Sequence, residues 1–181
     1  DVVKICNDLA KKGYVAVSFS YRLTTPLSLS NPDNMVKAVM RAVQDGKGAI
    51  RFFKKSVDDG NAYGIDTNRV FIGGSSAGAI LAYHVVYMND LSALSPSWQN
   101  LATDVGGLEG NSGSPGYSSS VVGTFGYAGA IADTNWLEAS EVPFMGMHAE
   151  DDITVPYGRG YPLGLNSLPV LYGTNTMHIR A

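Results

Sequence analysis

The sequence predicts an α/β fold, with a mostly parallel sheet and helices on both of its faces. Two observations support this prediction. Apolar segments typical of buried strands alternate with segments of helical periodicity, and one apolar run ends in a glycine- and serine-rich turn that opens a helix. The chain has 181 residues and is 45% hydrophobic, which is enough for a buried core. We therefore expect residues 1–181 to form a single domain.

The first third of the chain predicts a helix, a strand and a longer helix. Residues 1–12 carry apolar side chains at helical spacing, and a glycine follows them. Residues 14–21 are rich in β-branched and aromatic side chains, which is typical of a mostly buried strand. Apolar residues then recur every three to four positions over residues 36–57. Asn34 or Asp33 can cap this second helix.

The most informative stretch, residues 70–79, predicts a strand, a very sharp turn and the start of a helix. The turn matches the pattern G-x-S-x-G, formed by Gly74, Ser75, Ser76, Ala77 and Gly78. In this pattern the middle serine occupies a strained backbone position, and glycines on both sides remove collisions across the turn. The following helix directs its free N–H groups and positive dipole end at that serine.

This turn predicts Ser76 as a nucleophile, with Ser75 as the second choice. Negative charge that develops during acyl transfer would meet the N–H groups at the start of the helix. The alternative is a glycine-rich turn that only allows the helix and the strand to pack closely.

The second half of the chain predicts two further strands, at residues 121–128 and 143–149. Ligands bind beyond the carboxyl ends of the strands in such sheets. Ser76 and Asp152 both fall at such ends. The glycine- and serine-rich residues 91–120 predict a long irregular excursion, which is either a mobile surface loop or a segment that faces substrate.

Three other side chains are interpreted as structural. Asp66 is expected to accept backbone N–H groups in the turn before residue 70. His84 lies in the middle of the helix after the glycine-rich turn, where we expect a packing role. Cys6 is the only cysteine, and we expect it to be a buried small apolar group.

Charge and composition exclude several classes of function. The net charge of −3 gives no basic patch for nucleic acid, and no segment is apolar enough to span a membrane. No Walker pattern and no nucleotide-binding G-x-G-x-x-G follow a predicted strand. We expect a small neutral or weakly charged molecule as the partner. The sequence does not indicate an oligomeric state.

In residues 74–78 and 148–157 the sequence resembles the α/β-hydrolase family. Within that family it is similar to secreted bacterial carboxylesterases, feruloyl esterases and polyhydroxybutyrate depolymerases. Their catalytic residues follow the order Ser, Asp or Glu, then His. Residues 148–157 are similar to the family segment H-G-x-x-D-x-x-V-P-Y, which assigns the acid to Asp152 and a structural role to His148.

The resemblance implies hydrolysis of carboxylic esters through a Ser-His-Asp triad and an acyl-enzyme, without metal or cofactor. The substrate would be a small ester, and the location would be extracellular. The backbone N–H of Ala77, which follows the nucleophile, is the one oxyanion donor that the resemblance assigns.

Two parts of the family pattern are not found in this sequence. One is the His-Gly-Gly-Gly-like stretch upstream of the nucleophile, which supplies most of the oxyanion hole. The other is the catalytic histidine, because the segment between Asp152 and His178 leaves little room for the helix and strand that precede it. His178 resembles the opening of the next helix and is kept as the alternative base.

We therefore expect a fragment that is incomplete at both ends and inactive by itself. It would lack the N-terminal strands with the oxyanion loop and the C-terminal strand and helix with the catalytic histidine. In the family, a strand that would precede residue 1 separates the strands at 14–21 and 70–74. We expect these two strands to pair directly or to leave a gap.

Two other functions stay open. A peptidase or thioesterase would use the same triad on the same fold, since the acyl chemistry is shared. A catalytically silent domain would keep the fold for binding, and the missing histidine and oxyanion stretch would be its signature.

Overall fold

The computed structural model describes residues 2–25, 31–138, 140 and 142–181, and its centre is a parallel sheet of three strands. The helices are α1 (Val2–Ala10), α2 (Pro32–Asp58), α3 (Ala77–Tyr87), α4 (Pro96–Asp104), α5 (Asn135–Glu138) and α6 (Thr174–Arg180). The strands are β1 (Phe71–Ser75), β2 (Gly123–Tyr127), β3 (Ala130–Ile131), β4 (Phe144–Met147), β5 (Arg159–Gly160) and β6 (Leu171–Gly173). Short 3₁₀ turns occur at Leu91–Ala93 and Pro162–Gly164.

The parallel sheet has the strand order β1-β2-β4, and its strands lie at the apolar runs that the sequence predicted near residues 70, 121 and 143. Ser75, Tyr127 and Met147 lie side by side at its carboxyl end. A second, small antiparallel sheet has the order β3-β6-β5. The turn before β1 is also as predicted, because Asp66 accepts the N–H of Asn68 at 2.9 Å.

The prediction of a buried strand at residues 14–21 was wrong. This segment forms no helix and pairs with no described strand, and Tyr14, Val15 and Val17 are about half exposed. Only its end contacts the core, through Phe19 and Tyr21. β1 pairs with β2 on one side, and no described residue pairs with its other edge. The expected direct pairing of residues 14–21 with residues 70–74 is therefore not formed in the described part of the chain.

The prediction of helices on both faces of the sheet was also wrong for the described residues. α3 packs on the face that carries Ile72 and Thr124, and both of these side chains are buried there. Phe71, Met145 and Met147 point to the other face and stay 51%, 56% and 58% exposed. No helix covers them in the described part of the chain. α1 follows the predicted first helix, but it contributes no buried residue and its Cys6 is only half-buried.

The core lies between α2 and α3. Asn31 caps α2 by accepting the N–H of Asp33 at 2.9 Å, so the cap lies two or three residues before the predicted Asp33 or Asn34. A Cβ on Gly46 would lie 2.9 Å from Val85 of α3, so this glycine permits the close approach of the two helices. Among the described residues, no helix is both long and apolar enough to pass through a bilayer.

The segment 91–120 is irregular in its second half, as the sequence predicted, but not in its first half. It contains α4, and its glycine-rich part, residues 106–120, packs against α2 near the amino ends of the strands. Glu109 of this part pairs with Lys47 and Arg51 of α2 at 2.6 and 2.9 Å. Residues 106–120 are therefore a mostly exposed irregular segment anchored on α2, and the alternative that they face Ser76 was wrong.

His84 fills a fully enclosed position on α3 and is 2% exposed. Its Nδ1 lies 2.7 Å from the carbonyl oxygen of Ile80, and its ring meets Trp136 edge to face. This confirms the expected packing role. Burial lowers the pKa of His84 from 6.5 to about 4, because burial outweighs the opposing effect of the Ile80 carbonyl.

The lowered pKa of His84 predicts a loss of stability in mild acid. The unfolded chain takes up a proton near pH 6.5 and the folded chain does not, so this contribution is complete above pH 6.5 and is lost as the pH falls towards 4. Between pH 7.5 and 5.0 we expect the free energy of unfolding to fall by about 2 kcal/mol from this group. Urea unfolding at both pH values measures it.

His84→Gln should abolish that contribution, whereas His178→Gln, which changes an exposed histidine, should retain it. An unchanged pH dependence in His84→Gln would contradict this assignment.

Candidate active site

Ser76 lies in the turn between β1 and α3 with a backbone conformation that glycine usually adopts. Its φ is 53° and its ψ is −121°. Such a conformation costs a non-glycine residue about 1–3 kcal/mol, which the surrounding structure must offset. The backbone N–H of Ser76 donates to the carbonyl oxygen of Tyr127 at 2.8 Å, which ties the turn to the end of β2. The residue itself is exposed, so its hydroxyl is accessible from the carboxyl end of the sheet.

The two glycines of the G-x-S-x-G pattern have different roles. A Cβ on Gly74 would lie 2.4 Å from the carbonyl carbon of Gly78 and 2.5 Å from its oxygen, so no side chain fits there. A Cβ on Gly78 would meet nothing within 4 Å. The expectation that both glycines relieve collisions therefore holds for Gly74 and is wrong for Gly78.

α3 begins directly after Ser76, which is the N-cap residue of this helix. Ala77 is the first residue of this helix and is exposed. The first N–H groups of a helix have no partner within it, and they carry the positive end of the helix dipole. Ser75, in contrast, ends β1 and pairs in register with Tyr127, so it belongs to the strand and not to the turn.

Asp152 follows β4 and is fixed by the backbone of its own loop. Its Oδ1 accepts the N–H groups of Thr154 at 2.8 Å and Val155 at 3.0 Å. The side chain is 17% exposed, and its Oδ2 lies 3.3 Å from Nε2 of His148. The pKa of Asp152 is lowered by the N–H of Val155 and then by that of Thr154; burial opposes this shift, and His148 adds a smaller lowering. Asp152 is therefore a preformed carboxylate.

His148 is enclosed, with a side chain that is 0% exposed. Its Nε2 lies 3.1 Å from the carbonyl oxygen of Val155, and its Nδ1 lies 3.2 Å from Oγ1 of Thr174. Both ring nitrogens thus have partners that join the acid loop to the start of α6. This is the geometry of a structural histidine.

His178, the alternative base, lies at the wrong end of the sheet. It is on α6, and its ring stacks on Phe144 with the ring centroids 4.7 Å apart. Phe144 begins β4, about 10 Å along the strand from its carboxyl end. Between Asp152 and α6 the structure has only the short strands β5 and β6 and a 3₁₀ turn, so no α-helix in this segment precedes the helix that carries His178.

The structure brings Ser76 and the Asp152 loop to the same edge without bringing a histidine to Ser76. β1 and β4 flank β2, so their carboxyl ends are about 10 Å apart. His84 lies about 12 Å along α3 from Ser76. Ala128, between the two segments, has a φ of 52°, which no sequence pattern predicts because alanine rarely adopts this conformation. The described residues include no cluster of His, Cys, Asp or Glu that could hold a metal.

One of three comparisons with known proteins found a match. A family model named BD-FAE matches residues 1–128, which is more than half of the chain and includes Ser76. The comparisons with curated proteins and with solved structures found no match. BD-FAE is a family of α/β-hydrolase-like, feruloyl esterase-like domains. The parallel sheet is small and incomplete but compatible with that fold. The chain therefore belongs to the BD-FAE family of esterase-type hydrolases.

Proposed function

We propose that this domain hydrolyses carboxylic esters with Ser76 as the nucleophile. The observation that carries the proposal is the backbone of Ser76, which has a positive φ and an exposed position between β1 and the start of α3. Such strain persists only where the surrounding structure imposes it, and it is concentrated at functional sites. The membership in an esterase-type family supplies the reaction class.

In the proposed reaction, Oγ of Ser76 attacks the ester carbonyl while a histidine takes its proton. The negative charge on the carbonyl oxygen meets the N–H of Ala77 at the start of α3. The histidine returns the proton to the leaving alcohol, and water then hydrolyses the acyl-enzyme. Asp152 would orient the histidine and stabilise it when it is charged, for which its lowered pKa is suitable.

The base in this proposal is a histidine other than the three in the sequence. His84 and His148 are enclosed, and His178 stacks on Phe144 at the amino end of β4. The 181 residues alone would then hydrolyse esters at a low rate. The exposed position of Ser76 suits small esters, and an extracellular location is part of the same proposal.

Matched substrates test the reaction class. A protein that includes the base would be given an acetate ester, the corresponding thioester and the corresponding amide, each with the same leaving fragment. We expect kcat/KM to be highest for the ester and at least about tenfold lower for the amide. Preference for the amide or the thioester would replace the ester proposal by a peptidase or a thioesterase.

A catalytically silent binding domain is the second candidate, and the positions of the three histidines favour it. In that case Ser76 would not react even when a base is supplied. Covalent labelling of Ser76 decides between the two functions.

A further inference from the structure

A second cleft lies away from Ser76, between α2, the end of α3 and residues 106–120. Its volume is about 630 Å³. Small-molecule sites commonly enclose about 300–1,000 Å³. Val86 lies in its wall, about 15 Å along α3 from Ser76, and Val121 and Val142 come just before β2 and β4. The cleft is therefore at the amino end of the sheet, and Ser76 is at the carboxyl end.

The walls of the cleft carry two buried cations and one carboxylate. The side chains of Lys47 and Arg51 are 2% and 3% exposed, whereas that of Glu109 is 59% exposed. Among the residues that the structure describes, no other charged residue lines the cleft. Within that set, two positive charges face one carboxylate, and burial of an uncompensated charge is costly.

The hydrogen bonds of these cations are incomplete as well. Arg51 donates to Glu109 and to the carbonyl oxygen of Ser112, but its buried Nε has no partner among the described residues. Lys47 has three N–H donors, and the one hydrogen bond found for it goes to Glu109 at 2.6 Å. Spare donors and surplus positive charge are what an oxyanion requires.

The rest of the lining indicates the size and polarity of the ligand. Valines and a proline supply the apolar part of the wall, and asparagine, serine and tyrosine side chains supply neutral polar groups. The apolar residues are Val85, Val86, Pro115, Val121 and Val142, and the polar ones are Asn89, Asn111, Tyr117, Ser118, Ser119 and Ser120. The volume exceeds that of an inorganic ion. The ligand therefore has an apolar part in addition to its charged group.

We propose that this cleft binds a small organic oxyanion, with its carboxylate or phosphate on Lys47 and Arg51 and its apolar part against the valines. Glu109 competes for the same two cations. Its side chain is 59% exposed, so the carboxylate is the member of the cluster that solvent reaches. Binding does not involve Ser76, so it is independent of the proposed hydrolysis.

The probes are benzoate, phenyl phosphate and the neutral benzyl alcohol, titrated by calorimetry at constant ionic strength. Benzoate and phenyl phosphate distinguish a carboxylate site from a phosphate site, and either one supports the proposal if it saturates while benzyl alcohol does not. Absence of binding by both anions up to about 10 mM, a concentration at which even weak complexes form, would overturn it.

Charge variants sharpen the test. Glu109→Gln removes the competing carboxylate at constant shape, and we expect anion affinity to rise about tenfold. Lys47→Met should weaken binding about tenfold or more. Lys37→Met, which changes a cation of α2 that pairs with Asp104 outside the cleft, and Ser76→Ala should both bind like the wild type. If Lys47→Met does not fold, Glu109→Gln decides alone, and unchanged or weaker binding in that variant would contradict the proposal.

Discussion

Alanine in place of Ser76 should abolish covalent labelling by a fluorophosphonate probe. Only an activated serine reacts with such a probe, and Ser76 is the exposed serine at the start of α3. Because none of the three histidines reaches Ser76, we expect the 181 residues alone to label slowly, and imidazole in solution to supply the base. Under that condition the labelling rate of Ser76→Ala should be at least about 10³-fold below that of the wild type.

Ser75→Ala is the matched control for this experiment, since Ser75 is the neighbouring serine and belongs to β1. It should keep most of the labelling. If the wild type labels rapidly without imidazole and Ser76→Ala does not label, a base is present in the 181 residues. His178→Ala would then be the next variant. Folded protein that stays unlabelled with imidazole would favour the silent binding domain.

Alanine in place of Gly74 should unfold or strongly destabilise the protein, whereas alanine in place of Gly78 should not. The new Cβ at Gly74 would lie 2.4 Å from the backbone of Gly78, so β1 and α3 would have to separate. We expect a loss of about 3 kcal/mol or more, a large share of the total for a domain of this size. At Gly78 the added methyl group meets nothing within 4 Å, and the helix gains up to about 1 kcal/mol.

Urea unfolding of the two variants beside the wild type measures this difference. Both variants add one methyl group, two residues before Ser76 in Gly74→Ala and two residues after it in Gly78→Ala. Equal destabilisation by both variants would mean that the turn does not have the close backbone approach described here.

The three parallel strands could be predicted because each carries its own signal, a short apolar run that must be buried whatever its neighbours are. Residues 14–21 carry the same signal and form no strand. Their state depends on a partner strand, and a local apolar pattern does not show whether that partner is present. The turn at Ser76 was predictable for the same reason as β1, because Gly74 and the small residues around it are dictated by local backbone geometry.

The packing of residues 106–120 could not be read from that segment itself. Its glycines and serines indicate only an irregular chain, while its conformation is fixed by contacts with α2 that are more than 50 residues away in sequence. The sequence of α2 does indicate that some other segment must pack against it. Lys47 and Arg51 follow Val43 at positions i+4 and i+8, so they share the apolar face of that helix. Cations on such a face need a partner from elsewhere in the chain.

The uncovered face of the sheet also determines which methionines an oxidant reaches first. Met145 and Met147 are 56% and 58% exposed, whereas Met40, Met88 and Met177 are at most 1% exposed. Peroxide converts an accessible thioether to a polar sulfoxide. Damage would therefore begin at β4 and turn its apolar outer surface polar, while the core between α2 and α3 kept its sulfur atoms reduced.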